Sequence, residues 1–121
     1  MEGGKNYRRA LGSLGEDIAC EFLRGKGHVV MERNWRWGHL EIDIISFAAD
    51  GIHFVEVKTR HISGWQSTFD SINEQKRRTM RRGAMLYRQI HHLRHIIQFD
   101  LISVVVDDHG NSSIELTENI L

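Results

Sequence analysis

Leu40-Glu41-Ile42-Asp43-Ile44-Ile45-Ser46-Phe47, a break at Ala49-Asp50-Gly51, and then Ile52-His53-Phe54-Val55-Glu56-Val57-Lys58-Thr59 is the stretch that decides the fold. Both runs are rich in β-branched and aromatic residues, and Asp-Gly between them is a strong hairpin turn signal. Side chains alternate faces along a strand. Glu41 and Asp43 are therefore expected on one face, with Leu40, Ile42 and Ile44 on the other. By the same rule Phe54, Glu56 and Lys58 share one face, opposite His53, Val55 and Val57. A hairpin register that aligns the polar faces gathers two or three carboxylates and one ammonium on an otherwise apolar sheet.

Outward from this hairpin, helix spacing appears on both sides. Leu11, Leu14, Ile18, Ala19, Phe22 and Leu23 predict a helix between Arg8 and Lys26, with Gly25 and Gly27 as stop signals. Residues 28–31 read as a short first strand, and Trp35-Arg36-Trp37-Gly38 as a turn. Helix spacing returns from Ile72 to about Leu93. Ile96–Val106 is a strand, Asp107-Asp108-His109-Gly110-Asn111 a turn, and Ile114–Leu116 a last short strand. The order α-β-β-β-α-β-β implies an α/β sandwich in three layers, a mixed sheet of about five strands flanked by helices. At 121 residues the chain is expected to be one domain, 1–121, with 1–7 a flexible lead.

Composition sets limits on function. With 40% apolar and 26% charged residues the chain is ordinary for a globular protein, and it has no apolar run of roughly 18–20 residues that would span a bilayer. One cysteine, Cys20, permits no internal disulfide and reads as a small buried apolar residue. No signal-like stretch opens the chain, so the expected location is the cytoplasm, away from membranes. Sixteen basic and sixteen acidic residues cancel, but they are unevenly placed. Between Asn73 and His95 stand Lys76, Arg77, Arg78, Arg81, Arg82, Arg88 and Arg94 against Glu74 alone; after Arg94 there are five acids and no Lys or Arg. This segment is either a solvated helix face or a local field for an anionic partner.

The chemistry concentrates at Asp43, Glu56 and Lys58. Clustered carboxylates repel one another and lose hydration, so they call for a protein cation or a metal. Oxygen ligands suit Mg²⁺ or Mn²⁺. A metal held by Asp43 and Glu56 could take a phosphate oxygen and activate water, with Lys58 orienting that water or stabilising charge on the phosphate. A cross-strand salt bridge from Lys58 to either carboxylate explains the spacing equally well.

The segment L-E-I-D-I-I-S…I-H-F-V-E-V-K-T-R resembles the PD-(D/E)xK nuclease superfamily, and especially the uncharacterised bacterial YraN family. It also looks like the catalytic core of archaeal Holliday-junction resolvases. The likeness extends to L-G-x-x-G-E-D-x-A at Leu11–Ala19, N-W-R at Asn34–Arg36, Phe69, and the basic run I-N-E-Q-K-R-R-T-M-R-R from Ile72 to Arg82. The ordered set is more specific than the D…ExK spacing alone. It implies a restriction-endonuclease-like fold and a metal-dependent phosphodiesterase. In that pattern Asp43 matches the metal-binding aspartate, Glu56 the second carboxylate and Lys58 the lysine. Glu16, at the edge of the first helix's apolar arc, matches a glutamate that completes the metal site. Glu41 is a further candidate, although the family's usual glycine before it is Leu40 here.

Lys76 falls on the inward side of its helix with Phe69, Ile72, Met80, Gly83 and Tyr87. It either meets an anion, such as the carboxylate cluster, or, as the favoured expectation, snorkels to solvent. Arg60, Arg77, Arg78, Arg81 and Arg82 are candidates for gripping backbone phosphates without reading sequence. His91, His92 and His95 read as a solvated helix end rather than a zinc or nickel site, for want of a third ligand. Trp35, Trp37 and Trp65 could stack on bases, with packing the favoured role for at least two. The expectation is an Mg²⁺- or Mn²⁺-dependent endonuclease acting on DNA, on branched or structured DNA if it works as a homodimer. The alternative is a nucleic-acid-binding module that keeps the fold without cutting, and a third is a scaffold whose carboxylates form salt bridges.

Overall fold

A computed structural model describes residues 2–63 and 72–121, with the side chains of 2–5 left aside. The helix and strand order is α1 (Glu2–Gly25), β1 (Val29–Trp37), β2 (Leu40–Ala48), β3 (Gly51–His61), α2 (Glu74–Ile90), β4 (Ile97–Val106) and β5 (Ser112–Thr117). The five strands form one sheet in sequence order, antiparallel except for the β3–β4 pair. That parallel step follows from the α2 crossover, because strands joined through a helix return in the same direction. The three-layer α/β sandwich expected from the pattern is the architecture observed.

Each helix covers one face. Ala19, Cys20 and Leu23 of α1 pack on Ile44, Val55, Ile102, Val104 and Val106. Ala84 and Tyr87 of α2 pack on Ile42, Ile45, Ile52 and Phe54, and Met80 joins Ile72 and Leu101. Cys20 is buried, as its apolar reading requires. Asn73 caps α2, its side chain accepting from the Lys76 backbone N–H at 2.8 Å. Gly51 closes the β2–β3 turn at φ +127°, where any side chain would run into the Ile96 carbonyl.

Two readings need correction. Trp35-Arg36-Trp37 is strand, not turn: β1 continues to Trp37, and the reversal falls at Gly38, φ +61°. Trp35 earns its strand position by packing edge-on against Tyr87, with ring centroids 5.5 Å apart. Trp37 is exposed, and Trp65 lies outside the described residues, as does Phe69. The second correction is that strict alternation fails in the middle of the β1–β2 hairpin. Ile42 packs in the α2-side cluster and Ile44 in the α1-side cluster, although they are two residues apart. Opposite them, Arg33 reaches Asp17 of α1 while Trp35 faces α2. Asn34 and Asp43, between the pairs Arg33↔Ile44 and Trp35↔Ile42, absorb the reversal. Asn34 does so at φ +52°, a conformation asparagine tolerates better than most residues.

Candidate active site

The irregularity at Asp43 builds the site. Ladder pairing between β2 and β3 runs from the turn only as far as Ile44↔Val55. Beyond it the Val57 N–H has left the ladder and donates instead to Asp43 Oδ2 at 2.8 Å. A buried backbone donor needs an acceptor, and Asp43 supplies one by turning its carboxylate toward β3. That movement brings it to Glu56, whose flank of β3 keeps the expected alternation: Phe54 packs toward α2 and Val55 and Val57 toward α1.

A cleft of about 510 Å³ opens here, between α1 and strands β1, β2 and β3. Glu16, Asn34, Asp43, Glu56, Val57 and Thr59 line it, together with Arg8, Arg9, Leu11, Gly12 and Ser13. Gly15 seats α1 against the sheet, because a Cβ there would collide with the Thr59 hydroxyl. Glu16, the next residue, is thereby held at the cleft. Asn34 Nδ2 donates to Glu16 Oε2 at 3.3 Å, and Arg33 lies 4.0 Å from the same oxygen.

Electrostatics single out one carboxyl. Burial, followed by the charge of Glu56 and a hydrogen bond shared with it, pushes Asp43 up to about 8, against the smaller downward pull of the Val57 N–H and Lys76. At neutral pH these effects favour the protonated form of the Asp43 carboxyl. Glu16 is also raised, chiefly by burial, with the Asn34 hydrogen bond opposing. Lys76 Nζ stands 3.0 Å from Glu56 Oε2, yet that buried oxygen has no aligned hydrogen-bond donor among the described residues. The contact is thus a close charge pairing with poor hydrogen-bond direction. Burial pulls Lys76 down, but Glu56 and then Asp43 outweigh it and hold the ammonium above its usual range. The favoured snorkelling role for Lys76 is therefore replaced by its alternative, an inward ion pair.

Glu56 is shared by a second cavity of about 460 Å³, lined also by Lys58, Ile72, Asn73 and Lys76. The structure thus brings Glu16, Asp43 and Glu56 to one cleft, and Lys58 and Lys76 to the other side of Glu56. Glu41 is drawn off to Arg36 at 3.5 Å and lines neither. Arg60 follows Lys58 toward the end of β3. Arg77, Arg78 and Arg81 lie 3.8–3.9 Å from Glu74 on α2, and Arg81 and Arg82 line a separate groove with Leu40 and Met85. The histidines do not converge: His91 stacks on Tyr87 and His95 meets Phe47. Reading the sequence missed Asn34, Arg8 and Arg9. The N-W-R motif pointed at Asn34, but nothing in the spacing carried Arg8 and Arg9, at the start of the expected helix, to the site.

A hard divalent cation suits this donor set. The ligating atoms on offer are carboxylate oxygens, those of Asp43, whose burial favours a proton that a cation could displace, and Glu56 Oε2, buried without an aligned donor. Among the described residues no three His, Cys, Asp or Glu side chains gather tightly enough to form a full cage. Asp43 and Glu56 would therefore hold an ion as two carboxylates, the arrangement Mg²⁺ commonly uses with water and phosphate completing its shell.

Residues 15–104 match the sequence model of the uncharacterised protein family UPF0102. A UPF0102 protein of Acetivibrio thermocellus is 38% identical over 120 residues, covering 96% of this chain and 90% of its own. One from Clostridium botulinum is 36% identical over 112 residues, covering 90% and 91%. One from Nitratidesulfovibrio vulgaris reaches 48% over 77 residues, covering 64% and 58%. No helix among the described residues is long and apolar enough to cross a membrane.

Proposed function

The chain belongs to the uncharacterised family UPF0102, and on that premise we propose that it is a metal-dependent endonuclease cutting phosphodiester bonds in DNA, including branched or structured DNA. The observation that carries the reading is the Asp43–Glu56 pair, two carboxyl groups lining one cleft where the β2–β3 hairpin opens and the Val57 N–H turns to Asp43. Asp43 and Glu56 would hold Mg²⁺ or Mn²⁺, with Glu16 beside them. A cation bound there supplies Lewis acidity to a phosphate oxygen and lowers the pKa of bound water. Asp43 is kept in place by the Val57 N–H, and Glu16 by Asn34. Lys58, across Glu56, would stabilise charge that builds on the phosphate. Arg60 and the α2 arginines would add sequence-independent attraction for the strand. Two copies acting together would suit paired strands of a junction.

A second reading, a nucleic-acid-binding module that does not cut, draws on one observation: Lys76 already sits on Glu56. Cleavage of labelled duplex, single-stranded and four-way-junction DNA in Mn²⁺ separates the two. Activity is expected in the wild type, abolished in Asp43→Ala and reduced about 10²–10³-fold in Lys58→Ala. Binding without cutting in the wild type would favour the module.

A further inference from the structure

Two arginines share the cleft with the carboxylates. Arg8 and Arg9 of α1 line the same cavity as Glu16, Asp43 and Glu56, and both are exposed. Several other arginines already have acids beside them: Arg24 has Glu21, Arg33 has Asp17, Arg36 has Glu41, and Arg77, Arg78 and Arg81 share Glu74. Arg8 and Arg9 have no such ion pair among the described residues. Helix geometry aligns them with the site, since Arg9, Gly12, Ser13 and Glu16 fall at i, i+3, i+4 and i+7 on one face. Gly12 has open space where a side chain would stand, so the cleft wall there is bare backbone. Seven or eight helical residues separate the arginines from Glu16, roughly 10–12 Å along the axis. That is the rise of about three nucleotides of one duplex strand.

A cleft with carboxylates at one end repels a polyanion unless cations stand elsewhere along it. Guanidinium groups suit that place because their planar fork matches phosphate oxygens. We propose that Arg8 and Arg9, with the Ser13 hydroxyl alongside, form a backbone-phosphate subsite for a DNA strand. It lies about three nucleotides from the phosphodiester at the carboxylates and rests on the endonuclease reading above. The principal strand grip thereby moves from α2, whose Arg81 and Arg82 line a different groove, to α1.

The test is fluorescence anisotropy in EDTA across a salt series, with a labelled 20-base-pair duplex and its single strand. Mn²⁺-induced thermal shifts are recorded on the same variants. Arg8→Ala/Arg9→Ala is expected to raise Kd about tenfold or more and to flatten the salt slope by about 1–2, with the Mn²⁺ shift unchanged. Arg8→Lys/Arg9→Lys should regain most of the slope. Arg24→Ala/Lys26→Ala, which removes two charges at and just beyond the far end of α1, should change Kd less than threefold. Wild type that binds DNA while Arg8→Ala/Arg9→Ala behaves like that control overturns the subsite and leaves the endonuclease reading standing. Wild type that binds neither DNA overturns the subsite, and cleavage in Mn²⁺ then decides the endonuclease reading by itself.

Discussion

Asp43 concentrates the physics of the site in one side chain. It must accept the Val57 N–H, which favours its charged form, while burial and Glu56 favour the neutral one and win. A carboxyl raised from 3.8 to about 8 on folding binds a proton more tightly folded than unfolded. Its stabilising contribution is complete below about pH 4 and is lost as pH rises through 8. Metal-free protein should therefore lose stability between about pH 4 and 8. Asp43→Asn keeps an acceptor for Val57 but has no charge to bury. At pH 9 it should be more stable than the wild type by roughly 1–3 kcal/mol, read from denaturant midpoints, and its pH dependence should be flatter. Parallel curves for the two proteins would remove Asp43 from this role. His53 adds to the same alkaline loss: burial lowers it, but Asp50 and Asp100, at 2.8 and 2.6 Å, hold the ring above its usual value.

Between elements, the decisive contact is α1 against β3. Gly15→Ala places a methyl group against Thr59, whose Cβ would be 2.7 Å away and its hydroxyl nearer still. Both are short of ordinary contact, so the helix must lift. A loss of about 1–3 kcal/mol is expected, with weaker Mn²⁺ binding because Glu16 moves with the helix. Thermal melting with and without Mn²⁺ checks both, and an unchanged Mn²⁺ shift would mean that Glu16 plays no part in holding the ion. Much at this scale was legible in the chain. Asp50-Gly51 marked the hairpin, and the periods of Leu11–Leu23 and Met80–Tyr87 marked the faces the helices bury. The crossing of the chain at Asn34 and Asp43 was not legible, because period-two reasoning assumes an unbroken ladder. It left Ile42 and Ile44 on the same face, whereas they pack on opposite ones. Lys76 could be placed inward by its wheel position, but whether its ammonium met solvent or Glu56 depended on how closely α2 lies to β3.

For the molecule as a whole, zero net charge conceals a division of labour. Acids and bases are sorted locally, with carboxylates at the opened hairpin, Arg8 and Arg9 beside them on α1 without an ion pair among the described residues, and three arginines of α2 around Glu74. The account holds together only if the carboxylate end takes up a divalent cation, since otherwise the buried Asp43–Glu56 pair lowers stability for no return. Calorimetric titration of Mn²⁺ into wild type and Asp43→Asn at pH 7, in two buffers of different ionisation enthalpy, tests this most directly. One ion per chain, release of close to one proton on binding, and loss of binding in Asp43→Asn are the predicted results. A wild type that takes up no Mn²⁺, or a variant that binds it as tightly, would contradict the account.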